Sequence, residues 1–309
     1  MKLTNKNIIL GMLESAYATD PVPDATNAML VSNLNLAPMV ASDQPRNRAF
    51  ANFGSSASKL AQLNRTLSFS VEMAGSGAAG TAPLYGPLLR ACGLAETITA
   101  STKTAYAPIS AAWESAVLKH NRDALMHGLL GSRGSLSWKM QRGQLPTLDF
   151  SMTGLFGPVT DVAMADVIST LANFVDSVEV NKVNTATCTL HGYAVVLESL
   201  SIDLGNKVGF RDRPNAASVD ITDRAVVGNI SFEATTVAAK DWVSIAKANT
   251  LGALQVIHGT TAGNIVQLDA PKVQIGVPAY NDVDGVLHLS APLMLRRNLG
   301  DDEVTYTVK

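Results

Sequence analysis

Charge is what this sequence has least of. Only 16% of its 309 residues are Asp, Glu, Lys or Arg, against 47% hydrophobic. A disordered chain would reverse that balance, so a sizeable core is expected, in one large or two medium domains. So little charge also implies that part of the surface is buried against something else, since a soluble monomer ordinarily carries more. The net charge of −2 lacks the Lys/Arg excess with which a sequence-reading nucleic-acid binder neutralises phosphates. Cysteine is scarce too. Cys92 and Cys188 are the only two, too widely spaced for a disulfide framework or a four-ligand zinc site, and read as buried free thiols. No apolar run approaches the roughly 18 residues of a membrane helix. The run Ile8–Leu13 is too short and too interrupted for a secretory segment. The chain is expected to be made in the cytoplasm and to stay soluble until it assembles, which also speaks against an outer-membrane barrel.

Catalytic signatures are missing as well. There is no G-x-S-x-G elbow, no Cys–His signature and no phosphate loop. The five histidines (His120, His127, His191, His258 and His288) form no HExxH-type ligand pair. His127-Gly128 and His258-Gly259 recur as a pair and read as residues that hydrogen-bond a turn. Asp282 and Asp284 flank a turn before Gly285, with no downstream Glu to complete a calcium loop. Gly75–Gly80 matches G-x-G-x-x-G. A dinucleotide fold would surround it with alternating βαβ units, which are not here, so it reads as a flexible strand-to-helix loop. No catalytic residue, cofactor or metal site is predicted, and the chain is not expected to be an enzyme.

What the sequence does have is a period of two. Leu67, Phe69, Val71 and Met73 alternate with polar residues, as do Leu136, Trp138 and Met140, Leu148, Phe150 and Met152, and Val273, Ile275 and Val277. Each run reads as a half-buried strand. Arg142-Gly143 and Asp284-Gly285 look like hairpin turns. Helices are few. Pro83–Cys92 ends at Gly93 as a helix with a glycine stop, and Asp241–Asn249 starts at an acidic cap. The stretch 161–174 is either a linker helix or an irregular connection.

The two helices point to an internal repeat. Each follows a strand containing Ser-Phe, at Ser68-Phe69 and Ser231-Phe232, with a glutamate soon after. The prediction is a mainly β chain: two similar antiparallel β-sandwich or barrel domains in tandem, each with a short flanking helix. The expected boundaries are an N-terminal arm at 1–27, a first domain at 28–158, a linker at 159–183 and a second domain at 184–309. Two long polar loops, 41–64 and 205–226, are expected to be mobile surface or arms that dock on a neighbouring subunit. The residues picked out in them are Arg46, Arg48, Phe50, Phe53, Phe210, Arg211 and Arg213. The N-terminal arm and the strand Glu303–Val308 are further candidates for exchange between subunits.

Several long stretches resemble the tail tube proteins (major tail proteins) of long non-contractile-tailed bacteriophages. They are Glu14–Leu36 (ESAYATDPVPDATNAMLVSNLNL), Thr81–Leu94 (TAPLYGPLLRACGL), Leu129–Gly157 (LLGSRGSLSWKMQRGQLPTLDFSMTGLFG), Ile202–Asn206 (IDLGN) and Ala279–Leu295 (AYNDVDGVLHLSAPLML). The resemblance implies two packed β-sheets per domain, rings whose inner sheets join around a DNA-wide lumen, and loops or arms that clamp successive rings. With the repeat, it implies three chains per pseudo-sixfold ring in a virion tail that conducts DNA into the host. It also implies tape measure, tail terminator and distal tail proteins as partners, viral DNA in transit held non-specifically, and no membrane insertion. A polar, acidic lumen would let phosphates slide, and Glu72, Glu233 and Asp149 are the lumen candidates. The alternatives are the inner tube of a contractile tail or secretion apparatus and, in another class, a β-rich virion-associated glycan hydrolase. The hydrolase would need two carboxylates about 5–10 Å apart in a cleft.

Overall fold

The computed structural model describes residues 1–46 and 48–309; residue 47, inside the first predicted polar loop, lies outside them. The chain opens with β1 (Asn7–Leu13), a 3-10 turn (Ala25–Asn27) and β2 (Ala28–Met29). Two long strands follow, β3 (Ser32–Pro45) and β4 (Ser58–Glu72), then α1 (Gly86–Ala91). Next come β5 (Leu94–Thr99), β6 (Lys103–Pro108), β7 (Ala116–Arg122), β8 (Leu125–Gln141) and β9 (Thr147–Asp161). A single helical turn, α2 (Ile168–Leu171), leads to β10 (Thr187–Leu190), β11 (Tyr193–Ala194) and β12 (Leu197–Asp203). Then come β13 (Asn206–Arg213), β14 (Ala216–Arg224), β15 (Val227–Glu233) and α3 (Trp242–Lys247). The chain finishes with β16 (Leu251–His258), β17 (Val266–Ile275), β18 (Ala279–Val283), β19 (Val286–Leu295) and β20 (Thr305–Val308). The fold is mainly β, and every strand pairing is antiparallel.

One run of eight strands organises the molecule. Its order is β3–β4–β9–β8–β12–β15–β19–β18. The first four come from the first half of the chain and the last four from the second. Within each set the strand pattern is the same: a leading strand, the Ser-Phe strand, then a hairpin with its later strand innermost. The β8–β12 pairing, from Gln141↔Ser199 to Ser137↔Asp203, joins the two sets. A second run, β11–β10–β16–β17–β20–β6–β5, collects seven further strands from both halves. β1 lies on β7, which pairs with the first part of β8.

The alternation seen in the sequence decides which face of the eight-stranded run is dry. Leu67, Phe69 and Val71, Leu136 and Trp138, Leu148 and Phe150, and Ile230 and Phe232 are buried, and all belong to one core cluster. That core includes Leu254 and Leu268 of the second run and is continuous across both halves. Each fully buried Leu or Phe side chain is worth roughly 1.5–3 kcal/mol of transfer free energy. β20 carries Tyr306 into the middle, between β17 of the second half and β6 of the first.

Local chemistry sets the ends of these elements. Asp284 (φ 55°) and Gly285 (φ 80°) both take the left-handed conformation that a two-residue hairpin turn demands. α1 stops at Gly93 (φ 79°), and Asp241 caps α3 by accepting the backbone N–H of Ser244. The segment 161–174 is only partly helical, because the alternating pattern of β9 continues to Asp161 and leaves one turn, α2. β17 ends at Ile275, so Val277 is exposed and does not continue its buried face.

Of the predicted polar loops, half of 41–64 and most of 205–226 are strand. β3 and β4 stay paired out to Pro45↔Ser58, which leaves only 46–57 as loop. The stretch 205–226 is the β13–β14 hairpin, turning at Pro214-Asn215 with Asn215 at φ 70°. Its Val219 and Ile221 are buried, an alternation masked in the sequence by the charges between them. β20 is not free for exchange, because both of its edges are occupied within its own chain. The first 27 residues likewise lie on their own chain, with β1 on β7 and Lys119 paired to Asp20 at 2.8 Å.

Candidate assembly surface

The uncovered face of the eight-stranded run is hydroxyl-rich. Ser135, Ser151 and Ser68 stand in register across β8, β9 and β4. Ser199, Ser231 and Ser290 stand in register across β12, β15 and β19. Aligning the two Ser-Phe strands superposes Ser68 on Ser231 and Ser151 on Ser290, so this serine pair occurs twice. Glu72, Asp149, Asp203, Glu233 and Lys139 alternate with the buried residues of their strands and belong to the same face, with Glu72, Asp203 and Glu233 at strand ends. Lys139 Nζ lies 2.6 Å from the Asp149 carboxylate. Burial pushes the Asp149 pKa up, but bonds from Lys139, Ser70 and Thr147 outweigh it and hold the carboxyl below its ordinary range.

The three lumen candidates thus occupy one face but not one kind of place. Glu233 is exposed and stands opposite His288. Glu72 lies at the end of β4, where it accepts a hydrogen bond from Ser177 Oγ at 2.8 Å. In the register fixed by Phe69 and Phe232, Glu233 matches Ser70, and Glu72 lies two residues further along. Asp149 is tied to Lys139. The Asp203 carboxylate, which sequence reasoning missed, accepts the Gly205 N–H at 2.8 Å and closes the turn into β13.

Both borders of this run are open. Among the described residues β3 pairs only with β4, and β18 only with β19. Open strand borders present unpaired backbone N–H and C=O groups and template further pairing.

The two hairpins that rise from the run differ in what covers them. The β13–β14 hairpin is bound to the first half of its own chain. Asn206 Nδ2 donates to the carbonyls of Cys92 (2.6 Å) and Gly134 (2.9 Å). Arg133 donates to the carbonyls of Val219 and Trp113, both at 2.9 Å, and stacks on the Tyr17 ring. The Tyr17 hydroxyl accepts the Val219 N–H at 2.6 Å. Arg224 anchors the hairpin root to Ile109 O, Asp301 and Glu303. Phe210 is half-buried there, and Arg211 reaches toward Asp220 while Arg213 is exposed. Among the described residues the β3–β4 hairpin has no such cover. Phe50, Phe53, Met39, Leu60 and Leu63 are exposed apolar side chains, with Arg46 and Arg48 exposed beside them.

The glycine-rich loop is explained by backbone approach. Gly75 N–H donates to Asn264 Oδ1 and Gly77 N–H to Gly263 O. A Cβ on Gly75 would sit 1.8 Å from that same Gly263 oxygen, so the glycine lets two chain segments touch. The histidine pairs do not share one role. His258 bonds Thr185 Oγ1 and the Val178 carbonyl in the linker, whereas His127 stacks on His120. Among the described residues no cluster of three or more His, Cys, Asp or Glu could hold a metal. No helix there is long and apolar enough to cross a membrane.

The family described as phage tail tube protein matches residues 4–292. This chain belongs to that family. The match spans both halves of the eight-stranded run and both hairpins. The tail tube assignment gives the chain a structural role as a component of the virion tail, one that polymerises into a tube with other tail proteins. No curated protein matched the chain.

Proposed function

We propose that the chain assembles as stacked rings of three copies, each copy supplying two pseudo-equivalent tube domains, and that the rings form the conduit for viral DNA ejection. The observation that carries this reading is the doubled strand pattern with a free border at each end. A surface whose two ends differ but are complementary makes head-to-tail contacts, and these close into a ring when the rotation per copy allows. Eight strands per copy joined around an axis would leave no free border. The serine-lined face, with Glu72, Asp149, Asp203 and Glu233, would then look into the lumen. Its hydroxyls hydrate well, and its carboxylates repel phosphates, so DNA slides without adhering. Tape measure, tail terminator and distal tail proteins would be met inside the lumen and at the two tube ends. Arg46, Arg48, Phe50 and Phe53 would serve contacts between copies, with Phe210, Arg211 and Arg213 near the corresponding contact within a copy.

Microscopy of assembled tubes, with native mass spectrometry of single rings, tests the reading. Three chains per ring with sixfold-like density is the expected result. Six chains per ring, or a protein that stays monomeric at every concentration, overturns it.

A further inference from the structure

We infer that the seam between copies takes its register from the Lys139↔Ser201 pair of the β8–β12 seam inside one copy, with β18 of one copy against β3 of the next and Val283 opposite Ala37. The inference rests on the proposed ring and adds to it the register of the contact and what the uncovered hairpin is for.

The register follows from two correspondences, one for each strand of the seam. On one side, the shared Ser-Phe strands align Phe69 with Phe232. Phe69 pairs with Phe150, and Phe232 with Leu289. Leu136 pairs with Phe150, and Tyr280 with Leu289. Leu136 therefore corresponds to Tyr280, and Lys139 to Val283. On the other side, Ser201 pairs with Asn229 and Ala37 with Thr66. Both Asn229 and Thr66 lie three residues before the aligned phenylalanines, so Ala37 corresponds to Ser201. Inside the copy Lys139 is the partner of Ser201. Between copies the same seam pairs Val283 with Ala37.

Burial supports the correspondence. Leu136 and Leu148 are sealed in the core, at 1% and 0% exposure, where the second half of the chain continues past them. Their counterparts Tyr280 and Leu287 are 61% and 56% exposed, because nothing follows β18. The opposite end shows the complementary lack. Val219 and Ile221 of the β13–β14 hairpin are buried against the first half, while Met39, Leu60 and Leu63 of the β3–β4 hairpin have no cover. The two uncovered surfaces lie at opposite ends of one sheet and match the two sides of a seam already formed within the chain. The second copy is therefore the occupant that fits.

Pro38 is compatible with this pairing. Its carbonyl accepts a hydrogen bond from Arg65 Nε at 2.8 Å, so that residue's backbone polar side faces inward. The N–H that proline lacks would have pointed the same way. β3 is irregular between Ala37 and Val40, so the correspondence with the inner seam ends at Ala37.

The test is a cysteine pair, Ala37→Cys with Val283→Cys, in the full chain under mild oxidation of assembled rings. Native Cys92 and Cys188 are buried, and burial pushes both thiols up, so the parent chain gives a clean background. The expected result is a covalent ladder that stops at three copies. The pair Asn35→Cys with Val283→Cys, two residues out of register, should give little product, because such positions lie about 8 Å apart, beyond disulfide reach. Rings that form but link equally through both pairs, or through neither, overturn the register while leaving the ring intact. Absence of rings for the parent chain instead overturns the proposed function. As a second readout, Tyr280→Asp changes an exposed side chain and should lower ring yield at least tenfold. Unchanged yield overturns the covering role assigned to the hairpin.

Discussion

The hydroxyls of Tyr85 and Tyr306 lie 2.7 Å apart in the buried centre of the molecule, and Tyr85 also donates to the carbonyl of Ala74 at 2.6 Å. Tyr85 has one proton and gives it to Ala74, so Tyr306 is the donor between the two rings. Burial, the dominant cause, drives both phenols far above their ordinary pKa, so neither ionises in the working range. Tyr85→Phe strands the Tyr306 hydroxyl and the Ala74 carbonyl together. It should cost about 1–3 kcal/mol. Tyr306→Phe leaves only one acceptor unmet and should cost less. Urea unfolding of the unassembled protein measures both, and the reverse order would contradict the donor assignment.

Arg133 holds the β13–β14 hairpin to the first half by two carbonyls, the Asp220 carboxylate and the Tyr17 ring. Arg133→Ala should free the hairpin, with faster amide exchange across 217–221 and a loss of roughly 1.5–3 kcal/mol. Arg133→Lys should rescue only part of this, since lysine has no planar fork to serve two carbonyls and stack at once. Equal protection in all three proteins would remove Arg133 as the latch.

His120 is fully buried, and burial, helped by Arg122 and His127, pulls its pKa down to about 4. The unfolded chain takes up this proton near pH 6.5. Stability is therefore complete above that value and is lost as pH falls from about 6.5 toward 4, where the folded protein finally protonates too. His127, His191 and His258 shift in the same direction, each chiefly through burial. Thermal melts of the protein should fall across this window. His120→Leu should fall less steeply, and a variant with the parent slope would show that the burial of His120 does not set the acid limit.

On the hydroxyl face, Glu233→Lys should leave tubes of normal length and slow DNA ejection several-fold, with the effect relieved by salt. Adding Glu72→Lys should deepen the effect less, because Glu72 is engaged with Ser177 at the end of its strand. Ejection kinetics from variant virions decide this, and parent-like rates would place these carboxylates elsewhere.

The strands that form the dry face were legible because burial on one side imposes a period of two. Phe69, Trp138 and Phe150 announce themselves by that spacing alone. The helix ends were legible for a similar reason, since Gly93 and Asp241 are local signals. The β13–β14 hairpin was not legible. Its apolar residues, Val219 and Ile221, are separated by Asp220, and the partners of Val219 and Asp220, Tyr17 and Arg133, are distant in sequence. The β8–β12 pairing that unites the two sets was hidden for the same reason. Ser-rich strands carry no mark of which neighbour they will join, and only the three-dimensional register reveals it. The recurring histidine-glycine pairs misled, because two residues are too few to distinguish a shared place from coincidence.

The β8–β12 junction lies inside a single polypeptide, and this changes how assembly responds to concentration. Dilution can dissolve a contact between separate molecules, but a junction on one chain keeps a fixed effective concentration however scarce the protein becomes. In the proposed ring, half of the pairing work is then finished before two molecules meet. The remaining half sets the threshold at which polymerisation begins, so substitutions along β3 or β18 should move that threshold, whereas substitutions along β12 should instead change whether a single molecule folds.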